Sequence, residues 1–176
     1  MKKAIVTGAT GAVGTALVNK LISENVETLV LVRKGGRVNK IPQNPLVKIA
    51  YCSLDEMADF QNTDNEKYDV MFHLAWAGPY GKDRNDMFLQ TDNIKNELEA
   101  VKLAKRFGCE TFVGAGSQAE NGRLKDGEKV SPTSPTNPDN GYGIAKLAAG
   151  KMSRILCSQL GMKHIWCRIL SAYGPG

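Results

Sequence analysis

Short apolar runs alternate along the chain with longer segments in which apolar residues recur every three or four positions. The short runs are typical of strands buried on both faces of a parallel sheet, and the longer segments are typical of helices that cover such a sheet. The pattern therefore predicts an α/β fold, in which a doubly wound parallel sheet carries helices on both faces. Six strands are predicted, at residues 4–6, 28–32, 46–51, 70–74 and 164–170 and from residue 111 onward.

Three helices are predicted between these strands, at residues 12–23, 84–107 and 142–159. Apolar positions in the longest helix follow three- and four-residue steps, and Gly108 is expected to end it. The intervening residues 122–141 are rich in Pro, Asn, Asp, Ser and Thr, which predicts an exposed loop. A chain of 176 residues with this alternation is expected to form one domain.

Composition narrows the classes of function that fit this fold. The net charge of +5 is spread along the chain without a basic cluster, so nucleic-acid binding is not expected. The positive charge would be explained either by a solvated basic surface or by a surface that attracts phosphorylated substrates. The four cysteines show no metal-ligand spacing, which predicts reduced thiols, no metal site and a cytoplasmic protein. No apolar run reaches the roughly 18 residues that would predict a membrane span.

Three glycines follow the first strand and open the first helix. Gly8 would permit a tight turn, Gly11 would let the backbone approach a pyrophosphate, and Gly14 would let the helix pack closely on the sheet. Unpaired amides at the helix N-terminus would then face the phosphate charge. This context predicts a dinucleotide site. The residues between the glycines that we expect to line it are Thr10, Ala12 and Val13.

The glycine spacing, Gly-x-x-Gly-x-x-Gly, resembles the short-chain dehydrogenase/reductase superfamily, particularly its extended branch of nucleotide-sugar epimerases, dehydratases and reductases (the NAD-dependent epimerase/dehydratase family). Residues 142–146 match the Tyr-x-x-x-Lys motif of that branch, and residues 73–77 resemble its His-Leu-Ala-Ala segment. Residues 168–175 resemble Arg-x-x-Asn-x-Tyr-Gly-Pro, with Ser171 in place of Asn. The resemblance implies that residues 1–176 form an NAD(P)-binding Rossmann domain.

The match at Tyr142 and Lys146 implies a catalytic pair. Residues four apart lie on the same face of a helix, so the ammonium can stabilise a phenolate form of Tyr142. By resemblance, Tyr142 exchanges the proton of a hydroxyl or carbonyl group, and Lys146 also holds the nicotinamide ribose. Ser117, at the expected end of the fifth strand and 25 residues before Tyr142, matches the family's Ser or Thr, which implies that it hydrogen-bonds the reacting oxygen.

The end of the second strand bears on the choice of dinucleotide. A carboxylate there would bind a free ribose 2′-hydroxyl, whereas a basic residue would accommodate a 2′-phosphate. This chain has Arg33 followed by Lys34, so we expect NADP(H) in preference to NAD(H), although a merely solvated Arg33 would leave NAD(H) open. After the third strand, Ser53-Leu54 replaces the family's Asp-Leu at the adenine.

Further positions are assigned by resemblance alone. Leu74 and Ala75 are expected to line the cofactor through their backbone, and Asn93 to brace that backbone beside it. His73 is expected to be a hydrogen-bonded structural residue, and Trp76 and Tyr80 either to shape a substrate mouth or to pack. The candidate substrate contacts are Gln118, Ala119 and Ser171.

The resemblance implies hydride transfer involving a nucleotide-activated sugar. Arg33 and the absence of an acidic residue directly beside Ser117 favour a 4-ketoreductase, with a 4-epimerase close behind and a dehydratase third. Two alternatives remain: a non-catalytic dinucleotide sensor, and a flavin- or nicotinamide-dependent reductase of small aldehydes. The helices at 84–107 and 142–159 could pair in a homodimer.

Extended family members continue for about a hundred residues or more beyond Tyr-Gly-Pro and there build the lobe that grips the substrate. We therefore expect this chain to be a fragment without that C-terminal lobe, able to bind dinucleotide and slow to turn over substrate.

Overall fold

The protein is described by a computed structural model that covers residues 1–63, 65–123 and 127–172. Its strands pair in parallel in one sheet of order β3-β2-β1-β4-β5-β6. The strands are β1 (Lys3–Thr7), β2 (Glu27–Val32), β3 (Val47–Tyr51), β4 (Val70–His73), β5 (Thr111–Ser117) and β6 (Lys163–Ile169), and the helices are α1 (Ala12–Ser23), α2 (Met87–Arg106) and α3 (Gly141–Gln159). The predicted doubly wound α/β fold is confirmed.

Two apolar cores form because successive side chains of a strand point to opposite faces of the sheet. In β1, Val6 packs on one face into a cluster that includes Val18 and Leu21 of α1. Ile5 packs on the other face, in a cluster that includes Val101 of α2 and Cys157 of α3. Helices therefore cover both faces.

The strand order places a switch point between β1 and β4. The chain runs outward from β1 through β2 to β3, and then returns to β4 and runs outward through β5 to β6. Thr7 and His73 are paired across this point, each as the last residue of its strand. In open α/β sheets, ligands bind outside the carboxyl ends of the strands at such a point.

The prediction for α2 was wrong at its N-terminus. Residues Gly81–Asn85 form a separate 3-10 helix, and α2 begins only at Met87. The side chain of Asp86 caps α2 by accepting a hydrogen bond from the amide of Leu89, at 3.1 Å. Both helix types suit the same residues, so the periodicity alone cannot show where one gives way to the other.

The other boundaries fall within one or two residues of their predicted positions. β5 extends to Ser117, where a short 3-10 helix (Gln118–Asn121) follows, and α3 begins one residue early, at Gly141. The predicted Tyr-Gly-Pro at 173–175 lies outside the described residues. In the described ranges, none of the helices combines the length and the apolar character that a membrane crossing requires.

Candidate active site

The glycine loop between β1 and α1 lies against the end of β4. Gly8 has a φ of +71°, and a Cβ there would lie 2.7 Å from the carbonyl carbon of Leu74. At Gly14, a Cβ would lie 2.2 Å from the carbonyl oxygen of Gly8, whereas at Gly11 it would meet that oxygen at an ordinary 3.5 Å. Packing therefore requires glycine at positions 8 and 14, and Gly11 is left exposed.

The N-terminus of α1 has the features of an anion site. No side chain from the described residues caps it, and its first turn contains no acidic residue. Thr10 is half-buried there, and Ala12 and Val13 are exposed. The first amides of a helix have no intrahelical acceptor, and the helix dipole favours a negative charge beside them. The loop and helix together fit a dinucleotide pyrophosphate.

The segment after β4 is fixed from two sides. The hydroxyl oxygen of Thr7 accepts hydrogen bonds from the amides of Leu74 and Ala75, both at 3.2 Å. The side chain of Asn93 in α2 both accepts from the amide of Ala77 and donates to its carbonyl oxygen, at 2.9 Å each. Asn93 thus holds backbone in place, and its amide group is committed to that contact.

Tyr142 and Lys146 are brought together by a third residue, Trp76. The Tyr142 ring meets the Trp76 ring edge-on with 6.1 Å between centroids, and the Lys146 ammonium lies 3.6 Å from the Trp76 centroid. Lys146 is buried, and its Nζ donates to the carbonyl oxygen of Ala115 at 2.7 Å. Tyr142 is half-buried in the first turn of α3, which Asn140 caps. Trp76 therefore belongs to the site.

The charge of Lys146 depends on two buried carboxyl groups. Burial lowers the pKa of Lys146, and the negative charges of Glu97 and Glu120 act against burial by raising that pKa. An ammonium in this position is a source of positive charge one helical turn from Tyr142.

Ser117 ends β5 two residues beyond the carbonyl that Lys146 contacts. It begins a capping box in which its amide donates to Oε1 of Glu120 at 2.7 Å. Both oxygens of buried Glu120 also accept from the indole nitrogen of Trp166, at 3.0 and 3.2 Å. Ser117 itself is half-buried, and its hydroxyl accepts from the amide of Ala119 at 3.2 Å.

Arg84 also reaches the site, from the 3-10 helix before α2. Its guanidinium carbon lies 4.4 Å from the centroid of the Tyr142 ring. It donates to the carbonyl oxygen of Pro79 and to the side-chain oxygen of Asn140, at 3.2 and 3.4 Å. Arg84 therefore links the segment after β4 to the start of α3 across the face of the tyrosine.

Arg33 and Lys34, the basic residues expected at the ribose, directly follow β2 and are exposed. The amide of Ser53 is bound by Glu56, and its hydroxyl is shared between the carboxylates of Asp55 and Glu56. The edge thus carries acidic as well as basic groups. Leu54 packs against the core, half-buried.

The proposed substrate contacts follow the carboxyl ends of β5 and β6. Gln118 is exposed, Ala119 is half-buried, and Ser171 is exposed beyond the end of β6. The Tyr80 side chain is 83% exposed, so it does not pack against the site as Trp76 does.

Three charged residues at the site were missed in the sequence. Glu120 could have been found from the Ser-x-x-Glu spacing that predicts a capping box. Glu97 could have been found as a carboxylate four residues after Asn93, on a helix face that continues with the apolar residues Ala100, Val101 and Ala104. Nothing in the local sequence marks Arg84. His73 is buried and hydrogen-bonded to Thr7 at 2.9 Å, as expected.

Comparison with known proteins gives a family match along nearly the whole chain. The model of the NAD dependent epimerase/dehydratase family matches residues 4–176. A Bacillus subtilis (strain 168) protein described as an uncharacterized UDP-glucose epimerase is 25% identical over 190 residues, which cover 98% of this chain and 57% of that protein. A dTDP-6-deoxy-L-talose 4-dehydrogenase (NAD(+)) of Aggregatibacter actinomycetemcomitans is 23% identical over 144 residues, covering 81% of this chain and 50% of that protein.

Solved structures show the same fold. A UDP-glucuronic acid 4-epimerase from Bacillus cereus, in complex with NAD, superposes with a TM-score of 0.80 at 19% identity, over 98% of this chain and 57% of that one. The chain spans about half the length of the curated relatives it matches.

Proposed function

Since the chain belongs to the NAD-dependent epimerase/dehydratase family, we propose that it binds a nicotinamide dinucleotide and takes part in hydride transfer at C4 of a nucleotide-activated sugar. The observation that carries this proposal is the packing of Tyr142 and Lys146 against one ring, that of Trp76, beside the carboxyl ends of the strands. The C4 assignment follows the 4-epimerase and 4-dehydrogenase among the similar proteins.

Each part of the site has a role in this proposal. The amides at the start of α1 bind the pyrophosphate, and the backbone of Leu74 and Ala75 lines the cofactor. The charge of Lys146 stabilises the phenolate form of Tyr142, which takes the proton from the sugar hydroxyl and becomes a neutral phenol, and Ser117 donates a hydrogen bond to the reacting oxygen. A bound nicotinamide supplies the hydride acceptor or donor.

We favour a 4-epimerase over the ketoreductase that the sequence favoured. The Bacillus subtilis relative is described as a UDP-glucose epimerase, and the superposed structure is a 4-epimerase in complex with NAD. An epimerase regenerates its cofactor in each cycle and so has no need of NADPH. The ketoreductase remains the second candidate because Arg33 and Lys34 stand exposed at the end of β2.

Incubation with UDP-glucose labelled with deuterium at C4 tests this function. With added NAD⁺, an epimerase is expected to yield the C4 epimer without net formation of NADH. A ketoreductase would instead consume NADPH in the presence of a 4-keto sugar. A chain that binds dinucleotide but neither transfers deuterium to the nicotinamide nor consumes NADPH with the 4-keto sugar would be the non-catalytic sensor, and the proposal would fail.

Parallel calorimetric titrations with NAD(H) and NADP(H) test the cofactor. If Arg33 binds a 2′-phosphate, Arg33→Ala is expected to weaken NADP(H) binding about tenfold or more and to leave NAD(H) binding unchanged. Arg37→Ala is the matched control, an exposed arginine four residues farther along the loop. Tighter binding of NAD(H) by the unchanged protein would eliminate the 2′-phosphate role and support the epimerase.

We also propose a homodimer through α2 and α3. These packed helices expose apolar side chains that a partner could cover: Phe88 (86% exposed), Ile144 (53%), Met152 (45%) and Ile155 (56%). Ile155→Asp is expected to convert the dimer to a monomer in sedimentation equilibrium, because a charge would be buried at the interface. Ile49→Asp, at an isoleucine of β3 that is 43% exposed, is expected to leave the dimer intact. A monomeric unchanged protein would contradict the proposal.

A further inference from the structure

The carboxyl group of Glu97 is fully buried and has no hydrogen-bond partner for either oxygen among the described residues. It lies against the middle of β5, where a Cβ at Gly114 would come within 3.0 Å of Oε1. A buried carboxylate without a partner is costly, and burial accordingly raises the pKa of Glu97. A buried carboxylate of this kind is expected to be stabilised by a nearby positive charge or to have a function.

His73 faces Glu97 from β4, with 3.8 Å between Nε2 and Oε2. Its tautomer follows from Thr7, whose hydroxyl oxygen already accepts from two backbone amides, so that its single proton is directed to Nδ1 of His73. Burial, with the charge of Lys146, lowers the pKa of His73 to about 3, so the ring is neutral. Neutral His73 therefore carries its proton on Nε2 and presents an N–H group to Glu97.

Lys146 in α3 lies against the next residue of β5, where its Nζ donates to the carbonyl oxygen of Ala115 at 2.7 Å, and its charge acts on Glu97. Two carboxyl groups act on Lys146. The oxygens of Glu120 already accept hydrogen bonds from Ser117 and Trp166, whereas the oxygens of Glu97 accept none from the described residues. Cys157, whose thiol Glu97 acts on from α2, stays neutral because burial and Glu97 raise its pKa to about 11. Glu97 and Lys146 therefore depend on each other for their charges.

We propose that Glu97 is a positioning residue that keeps Lys146 protonated one helical turn from Tyr142, and that His73 orients the Glu97 carboxyl group from β4. The significance for catalysis rests on the proposed function, since it assumes that Lys146 serves Tyr142. The charge relation between Glu97 and Lys146 does not depend on turnover and can be measured without it.

Tryptophan fluorescence offers a direct readout of this charge. Trp76 and Trp166 are the two tryptophans of the chain, and their ring centroids lie 3.6 and 5.8 Å from Nζ of Lys146. Deprotonation of the ammonium against the indole face is expected to change the emission as the pH is raised from neutral. Lys146→Met removes the titrating group with little change of side-chain length, and is expected to abolish that transition.

In Glu97→Gln, the transition is expected to move down by about one pH unit or more, because burial still opposes the charge of Lys146 and its counter-charge is gone. Glu97→Asp, which keeps the acid, is expected to move it less, and serves if the glutamine variant does not fold. A midpoint that is the same in both variants as in the unchanged protein would overturn the proposal. Absence of hydride transfer in a protein that still shows the shift would refute the proposed function alone.

Discussion

Replacing Gly14 with alanine is expected to lower the free energy of unfolding by about 3 kcal/mol. The added Cβ would lie 2.2 Å from the carbonyl oxygen of Gly8 and 2.7 Å from Cα of Ala9. Both neighbours are backbone atoms, so relief requires displacement of the loop or of α1 and cannot come from a side-chain rotation. Urea denaturation, followed by circular dichroism, measures the change.

Gly11→Ala is the matched control in the same loop. Among the described residues its Cβ would meet only the Gly8 oxygen, at 3.5 Å, and its φ of −85° suits alanine. We expect a stability change within about 1 kcal/mol but a loss of dinucleotide affinity of about tenfold, because the methyl group would stand where the pyrophosphate approaches. Unchanged affinity in Gly11→Ala would place the pyrophosphate elsewhere.

The fold was largely predictable because most strands and helices can be recognised from the pattern of apolar residues in their own segment of the sequence. The buried strands have apolar runs too short for helices, and the strand-glycine-helix order at residues 4–23 fixes how α1 follows β1. The boundary at Met87 was not predictable in this way. There, a 3-10 helix precedes α2, and the choice between them depends on Arg84 reaching the carbonyl of Pro79 and on Gln90 binding the backbone of Gly78 and Asp83.

In the candidate site, too, the residues that follow from local spacing were predictable and the contacts between elements were not. Tyr142 and Lys146 could be proposed because four residues always span about one helical turn, and Ser117 because strand ends share one edge of a parallel sheet. Contacts between elements could not be derived, because they require the packing of α2 and α3. Arg84 over the Tyr142 ring is one such contact. The burial of Glu97 beside β5 is another.

Tyr142→Phe is expected to slow hydride transfer by about 10²- to 10⁴-fold, the range usual for removal of a general acid or base. The ring contacts with Trp76 and Arg84 are retained, and no described residue hydrogen-bonds the phenol oxygen, so the fold should not change. Single-turnover transfer of deuterium from labelled UDP-glucose to NAD⁺ measures the rate even where product release is slow. Dinucleotide affinity is expected to stay within about twofold, because the missing group acts on the sugar hydroxyl.

Tyr51→Phe makes the same chemical change at an exposed tyrosine of β3 and is expected to leave the rate unchanged. If Tyr142→Phe retained the full rate, the proton would have to pass to another group, and the role of Lys146 would change with it. The ammonium would then serve the cofactor ribose alone, and its pairing with Glu97 would bear on binding without bearing on proton transfer. A large loss in Tyr142→Phe, together with an unchanged rate in Tyr51→Phe, would place the proton transfer at the phenol that Trp76 and Arg84 hold.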